Sequence, residues 1–299
     1  MLKSNIGELT ALGTAICWSL SATFFELSGK KVGSLAVNYI RLVTGFIFIS
    51  IFTLITRGYL LPLDANSQNW IFLSISGLIG FFIGDLFLFQ SYLEVGSRVS
   101  MLIMATSPPI TALLGFLIFG ERLSLISLLG MAVTLTGIAL VILSRGDEEK
   151  KVKVTYSIKG LTYAFLGSLG QAVGLIFSKL GMGSYNAFAA TQIRIIAGFI
   201  GFTFLILYSK RFEDIKNAFK DKNALLGITI GSIFGPFVGV GLSLISLQYT
   251  SAGISSTITS ITPVTIIPLA VLVFKDNIKV KEIMGALITV IGVGILFLF

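Results

Sequence analysis

The chain has 299 residues, 55% of them hydrophobic and only 12% charged, with a formal net charge of +8 and a mean hydropathy of +0.94. A soluble domain carries about 25% charged residues, so the composition excludes one and points to an integral membrane protein. With no histidine and one cysteine, Cys17, it also excludes an intramolecular disulfide, a thiolate metal site and an imidazole base. No G-x-x-x-x-G-K-[ST] run offers a P-loop, and no metal or cofactor is expected. The basic surplus is read as topogenic and lipid-facing charge in loops, not as a nucleic-acid surface.

A bilayer core of ~30 Å takes about 20 helical residues. Apolar runs between polar breaks give ten candidate spans, near 6–28, 36–56, 70–93, 99–119, 124–144, 157–180, 186–208, 223–249, 252–274 and 280–298. The N-terminus lacks a cleavable signal pattern, so the first span is expected to act as an uncleaved insertion signal. Along it Thr14, Trp18, Ser21 and Phe25 share a helical face, and Glu26 lies near its end, on the same side of the membrane as Arg41 of the second span. A local Glu26–Arg41 ion pair is therefore expected, with Glu26 a second candidate for carrying a coupling proton. Trp70 opens the third span as an interfacial anchor.

In the middle of that third span sits Asp85, with Phe89 and Tyr92 on the same face and Gly77, Gly80, Gly84 and Ser91 on an adjacent one. A carboxylate there costs at least ~2.5 kcal/mol to insert and is read as functional by default. Small residues let helices approach closely, which turns the polar-aromatic face toward a cavity. Pro108 and Pro109 in the fourth span, Pro236 in the eighth, and Pro263 and Pro268 in the ninth are expected to remove intrahelical hydrogen bonds. Ser107 and Thr262 stand beside two of them as partners for the freed carbonyls or as substrate contacts. Pro108 and Pro263 are the candidate hinges. The turns Glu121-Arg122 and Lys275-Asp276 are read as tying helix ends together. In the sixth span Gly167, Gln171, Gly174 and Ser178 form a face, and the eighth carries Gly227, Gly231, Gly235 and Gly239 at spacings of four. Phe212, Ile215 and Phe219 give the basic 211–222 segment the cast of a helix on an anionic leaflet.

The second half repeats the first. Gly7 meets Gly160, and Tyr-Ile-Arg-Leu-Val-Thr-Gly-Phe (39–46) meets Gln-Ile-Arg-Ile-Ile-Ala-Gly-Phe (192–199). After a two-residue shift, Gly80, Gly84, Ser91, Ser100, Pro108 and Phe119 meet Gly235, Gly239, Ser246, Ser255, Pro263 and Phe274, and the match runs on to Gly130/Gly285 and Gly137/Gly292. The repeats divide the chain into 1–145, a charged connection 146–156, and 157–299. Five spans each is an odd number, so the second half enters the membrane upside down, an arrangement that recurs in secondary transporters with the substrate near the midplane. The position equivalent to Asp85 is Val240, which leaves the acid unpaired by symmetry and favours a specific role, lining the substrate path or carrying a proton.

Several local patterns together resemble the drug/metabolite transporter superfamily, specifically its ten-helix branch with two EamA repeats. They are Cys-Trp-Ser (17–19), Arg41, Ser107-Pro108, Phe-Gly-Glu-Arg-Leu (119–123), and in the second half Arg194, Thr262-Pro263 and Phe274-Lys-Asp-Asn-Ile278. Gln171 replaces a tryptophan sometimes present in such a second half. The resemblance implies an all-α fold of ten transmembrane helices, as two inverted five-helix repeats around a central cavity on which Trp18, Asp85 and Gln171 converge. It implies a transporter exporting an amino acid or related polar metabolite by alternating access in the cell membrane, with a small-molecule substrate and lipid as partners; a coupling proton is expected from Asp85 or Glu26, and monomer and homodimer both stay open. It also implies cytoplasmic termini, whereas the distribution of Lys and Arg among loops places the termini outside. A sensor or assembly partner without flux is the alternative, and a membrane enzyme a more distant one.

Overall fold

The computed structural model describes residues 5–146, 157–262, 264–265 and 280–298, and these are helical with no strand among them. The side chains of Glu26 and Tyr92, together with Pro263, Pro268, Lys275, Asp276 and most of the connection (147–156), lie outside the described part, and the expectations placed on them go no further here. The elements are α1 (Ile6–Val32), α2 (Ser34–Arg57), α3 (Ser67–Ser76), a π-helical segment Gly77–Gly84, α4 (Asp85–Met104), α5 (Ser107–Phe119), α6 (Leu125–Gly146) and α7 (Ile158–Met182). They continue as α8 (Ala187–Ser209), α9 (Phe212–Ala218), α10 (Lys222–Ser232), a second π-helical segment Ile233–Gly239, α11 (Val240–Tyr249), α12 (Ala252–Thr259) and α13 (Val280–Leu298).

Among the described residues five stretches are long and apolar enough to cross a membrane: Ser34–Arg57, Ser67–Ser91, Ile158–Met182, Ala187–Ser209 and Lys222–Tyr249. Three shorter apolar helices, Ser107–Phe119, Leu125–Leu140 and Ile283–Leu296, accompany them. The outward faces are greasy: Ile55, Phe204, Leu117 and Ile291 are all exposed, while Ser, Thr, Asn, Gln and Arg side chains are buried inside. That inside-out distribution suits lipid as solvent. Gly33, at φ 81°, separates α1 from α2 with no loop between them, a conformation that costs a side-chain-bearing residue strain.

Helix ends follow local chemistry. Asn66 and Asn69 form a reciprocal capping box at the start of α3, and Asn186, Asp221 and Ser251 cap α8, α10 and α12 with side-chain oxygens. α4 contains a reversal. Ser91 Oγ donates to Ser100 Oγ at 2.7 Å, although nine residues of straight helix would set them about 13 Å apart. The same contact recurs between Ser246 and Ser255 at 2.8 Å.

The two repeats clasp each other reciprocally. A Cβ built on Gly174 of α7 would meet Gly80 Cα at 2.9 Å, and one on Gly170 would meet Gly84 Cα at 2.7 Å, so α7 lies backbone-on-backbone against the first π segment. In mirror fashion α1 lies on α10 and the second π segment, with Phe25 over Gly231, Ser21 against Gly235 and Trp18 against Gly239. α6 and α13 pair at the flank, each glycine receiving a threonine of the other, Gly137 facing Thr289 and Gly292 facing Thr134. The small-residue faces expected in the third, sixth and eighth spans thus meet partners as such faces do in bilayers. α9 is arranged differently from expectation. Phe212 and Phe219 are exposed, but Ile215 is buried in the protein core, because the segment is one short helix docked on the bundle and not a free-lying amphipath.

Candidate functional site

The first π segment sets the site. Its N–H groups reach one residue further back than in an α-helix, and the Asp85 N–H, which closes it, points to the carbonyls of Gly80 and Phe82. Such bulges widen the helix and re-aim the next side chain, frequently where a protein functions. The second π segment occupies the equivalent stretch of the other repeat and holds Pro236; neither segment was anticipated from the apolar runs. Because Gly80 and Gly84 present bare backbone, α7 comes close enough for Gln171 Nε2 to donate to Asp85 Oδ1 at 2.8 Å.

From α2, Arg41 makes an ion pair with Asp85 through Nη2 and Oδ2, and its Nε donates to Asn38 Oδ1 at 2.9 Å. The Arg41 guanidinium also sits over the rings of Phe89 (5.3 Å) and Phe25 (5.7 Å). From α8, Arg194 lies over Phe81 at 4.4 Å, beside the bare Gly80, and attracts Asp85 through space. Asp85, Arg41 and Arg194 are 5%, 8% and 4% exposed. The Arg194 Nε has no hydrogen-bond partner among the described residues.

The acid has no counterpart in the other repeat, but it is not without partners. Val240 breaks the symmetry at the acid, yet the repeat-related arginines both turn toward it. Arg41 is engaged by Asp85 and Asn38; the expected Glu26–Arg41 pair lies outside the described residues. Neither arginine belongs among loop charges. Arg41 and Arg194 lie about two turns inside α2 and α8, and their absence from the topogenic count removes one charge from each side. The sequence signal for their inward position is that both fall in matched Ile-Arg dipeptides inside apolar helices.

The other predicted residues spread over a wider region. Phe89 forms the floor under Arg41. Trp18, repeat-related to Gln171, is half-buried against Gly239. Ser107 is buried at the start of α5. Thr262 Oγ1 donates to Thr259 O at 2.8 Å, and Thr262 O accepts from Ser19 Oγ at 3.1 Å. Pro108 does not interrupt a continuous helix. It stands in the first turn of α5, where the missing N–H costs nothing, and the break falls before it, at 105–106.

At the far end of α7 a second polar cluster joins the repeats. Lys179 Nζ donates to Glu121 Oε1 at 2.6 Å and to Thr250 O at 2.9 Å, while Glu121 Oε2 accepts from the Ala252 N–H at 3.0 Å. Nearby, Asp64 accepts from Tyr185 Oη at 2.9 Å and pairs with Arg57 at 2.5 Å. Burial, then Asp64, pushes the Tyr185 hydroxyl up to about 12. Partial burial tends to raise the Asp64 carboxyl, but the bonds from Tyr185 and Arg57 outweigh it and hold the group below its ordinary value. A crevice of about 210 Å³ opens between α2, α4 and α8, lined by Asn38, Leu86, Gln90 and Leu205.

The model of the EamA-like transporter family matches residues 5–143 and again 158–298. The chain belongs to the EamA-like transporter family. An uncharacterized transporter of Archaeoglobus fulgidus is 22% identical over 97% of each chain. A chloroplastic WAT1-related protein of Arabidopsis thaliana is 21% identical over 94% of this chain and 69% of its own. A thiamine-repressible mitochondrial transport protein of Saccharomyces cerevisiae is 32% identical, over 40% of this chain and 31% of its own. A solved crystal structure superposes with a TM-score of 0.73 at 15% identity, covering 97% of this chain and 95% of that one, which bears on fold alone. For this EamA-like protein, family and relatives together place it in the membrane and point to transport, not enzymatic turnover.

Proposed function

We propose that this EamA-like protein is a secondary transporter of a small polar metabolite, an amino acid or related compound moved outward, working by alternating access between two inverted five-helix halves. The observation that carries the reading is the buried network in which Asp85 and Arg41 of one repeat meet Gln171 and Arg194 of the other. A static scaffold gains nothing from ions in hydrocarbon. A carrier uses them, because groups shared between two moving halves make and break with the cycle. Trp18, Phe89, Ser107 and Thr262 are assigned to the surrounding path, the break before Pro108 to the hinge, and Asp85 to proton coupling, since protonation releases Arg41. The Glu121–Lys179 cluster closes one end. The lysine-rich end, with Lys30, Lys31, Lys210 and Lys216, is assigned to the cytoplasm and both termini to the outside.

The test is counterflow in proteoliposomes against a panel of amino acids and related metabolites. Trans-stimulated flux is expected for at least one, and Asp85→Asn is expected to abolish its pH dependence. Ligand-induced stabilisation without flux would instead mark a sensor.

A further inference from the structure

Among the described residues the charges around Asp85 do not balance. Among the described residues two guanidiniums face one carboxylate, and both carboxylate oxygens are committed, Oδ2 to Arg41 and Oδ1 to Gln171. Arg194 is left with an attraction through space, the face of Phe81 and an Nε that donates to nothing described. A buried cation without a hydrogen-bonded counter-charge is expensive, and an unsatisfied buried N–H adds to the cost. A lysine at either position would offer a point charge, whereas an arginine offers a planar fork matched to two oxygens of one oxyanion. The crevice between α2, α4 and α8 reaches Asn38, the residue that holds Arg41 Nε. Asn38 thus borders the crevice on one side and bonds Arg41 on the other.

We propose that Arg194, with Arg41, forms the recognition site for an oxyanion, so that the substrate of this transporter carries a carboxylate or a phosphate, and that Asp85 is its resident stand-in. This rests on the transport reading for its physiological meaning but not for its chemistry. Bound at the Arg194 fork, a monoanion supplies the Nε acceptor and brings the described charges to neutrality. Arg194 thereby acts as a specificity-determining residue, selecting anionic over neutral solutes, and Phe81 sets the plane of its guanidinium.

The experiment measures thermal shifts of the purified full-length protein with pyruvate, inorganic phosphate or glycerol, against chloride at equal ionic strength. Counterflow of the same solutes in proteoliposomes accompanies it. Pyruvate or phosphate is expected to raise the melting temperature while glycerol does not, and whichever anion acts identifies the oxyanion. Arg194→Gln is expected to lose that shift while melting no lower than the parent without ligand, because it removes an uncompensated charge. Arg194→Lys, which keeps the charge, is expected to weaken the apparent affinity about tenfold or more through loss of the fork, and stands in should the glutamine variant not fold. No anion-specific shift in the parent, or equal shifts in parent and both variants, overturns the proposal. Counterflow of a neutral solute without anion binding overturns it and leaves transport standing. Anion binding lost in Arg194→Gln, with no flux of any solute, upholds the site and overturns the transport reading.

Discussion

Asp85→Asn tests the central network most directly. The amide keeps the size of the side chain and retains an oxygen for Gln171 Nε2, 2.8 Å away. It removes the charge that Arg41 Nη2 meets, leaving two buried guanidiniums with no carboxylate between them among the described residues. Breaking a buried pair from one side costs about 3–5 kcal/mol. The remaining Asn38 bond to Arg41 Nε and the two ring faces beneath the guanidinium argue for the lower half of that range. Removing both partners, Asp85→Asn with Arg41→Met, replaces the stranded cation by an apolar chain of similar length and is expected to recover most of the loss. A double-mutant cycle by reversible unfolding in mixed micelles should return a coupling of at least about 2 kcal/mol, since contacting residues in one network do not add. A loss below about 1 kcal/mol in the single variant, or additive losses in the double, would falsify the claim that this pair is ionised and mutually dependent.

Gly174→Ala places a methyl 2.9 Å from Gly80 Cα, backbone that has nowhere to move; the same assay should register about 1–3 kcal/mol of overpacking. Gly294→Ala, which meets nothing within 4 Å, should stay within about 0.5 kcal/mol. Glu121→Gln removes the charge that Lys179 and the Ala252 N–H share, and is expected to raise labelling of a cysteine placed at Thr250, in a Cys17→Ser background, by several-fold. Equal labelling in the parent would assign that cluster to static packing. Because Asp64 is held below its ordinary value of 3.8, it contributes stability above that pH which is lost as pH falls through its lower folded value. Melting curves of Asp64→Asn should show a shallower acid limb. Tyr185, raised from 10.0 to about 12 mainly by burial, contributes stability that is present below pH 10 and lost between there and 12; Tyr185→Phe should flatten the alkaline limb.

The duplication was legible because glycines sit where two backbones must touch, and that demand recurs in both halves. The contacts Gly80–Gly174 and Gly235–Ser21 are that demand made visible. Asp85 was legible because nothing in hydrocarbon solvates a carboxylate. Its partners were not. An arginine two turns inside a helix reads the same in one dimension whether it snorkels to a headgroup or turns inward, and only the crossing of α2 and α8 over the third span decides between them. The π segments were hidden for a related reason. A shift from four- to five-residue bonding leaves apolar composition unchanged, so Gly77–Gly84 looked like a plain stretch of span. Pro108 misled by position, since a proline inside an apolar run also marks the start of a new helix.

The clasp of the first helix has a consequence for biogenesis. α1, 27 residues and about 40 Å long, finds its seat on residues that lie far downstream, as the Ser28 bond to Ala224 and the Thr14 bond to Gly239 record. It leaves the ribosome long before that seat exists. Until then its Thr14–Trp18–Ser21 edge faces lipid or a chaperoning insertase, and neither repeat expressed by itself can complete its own interior. The gene is therefore expected to tolerate being cut in the connection only when both fragments are inserted together.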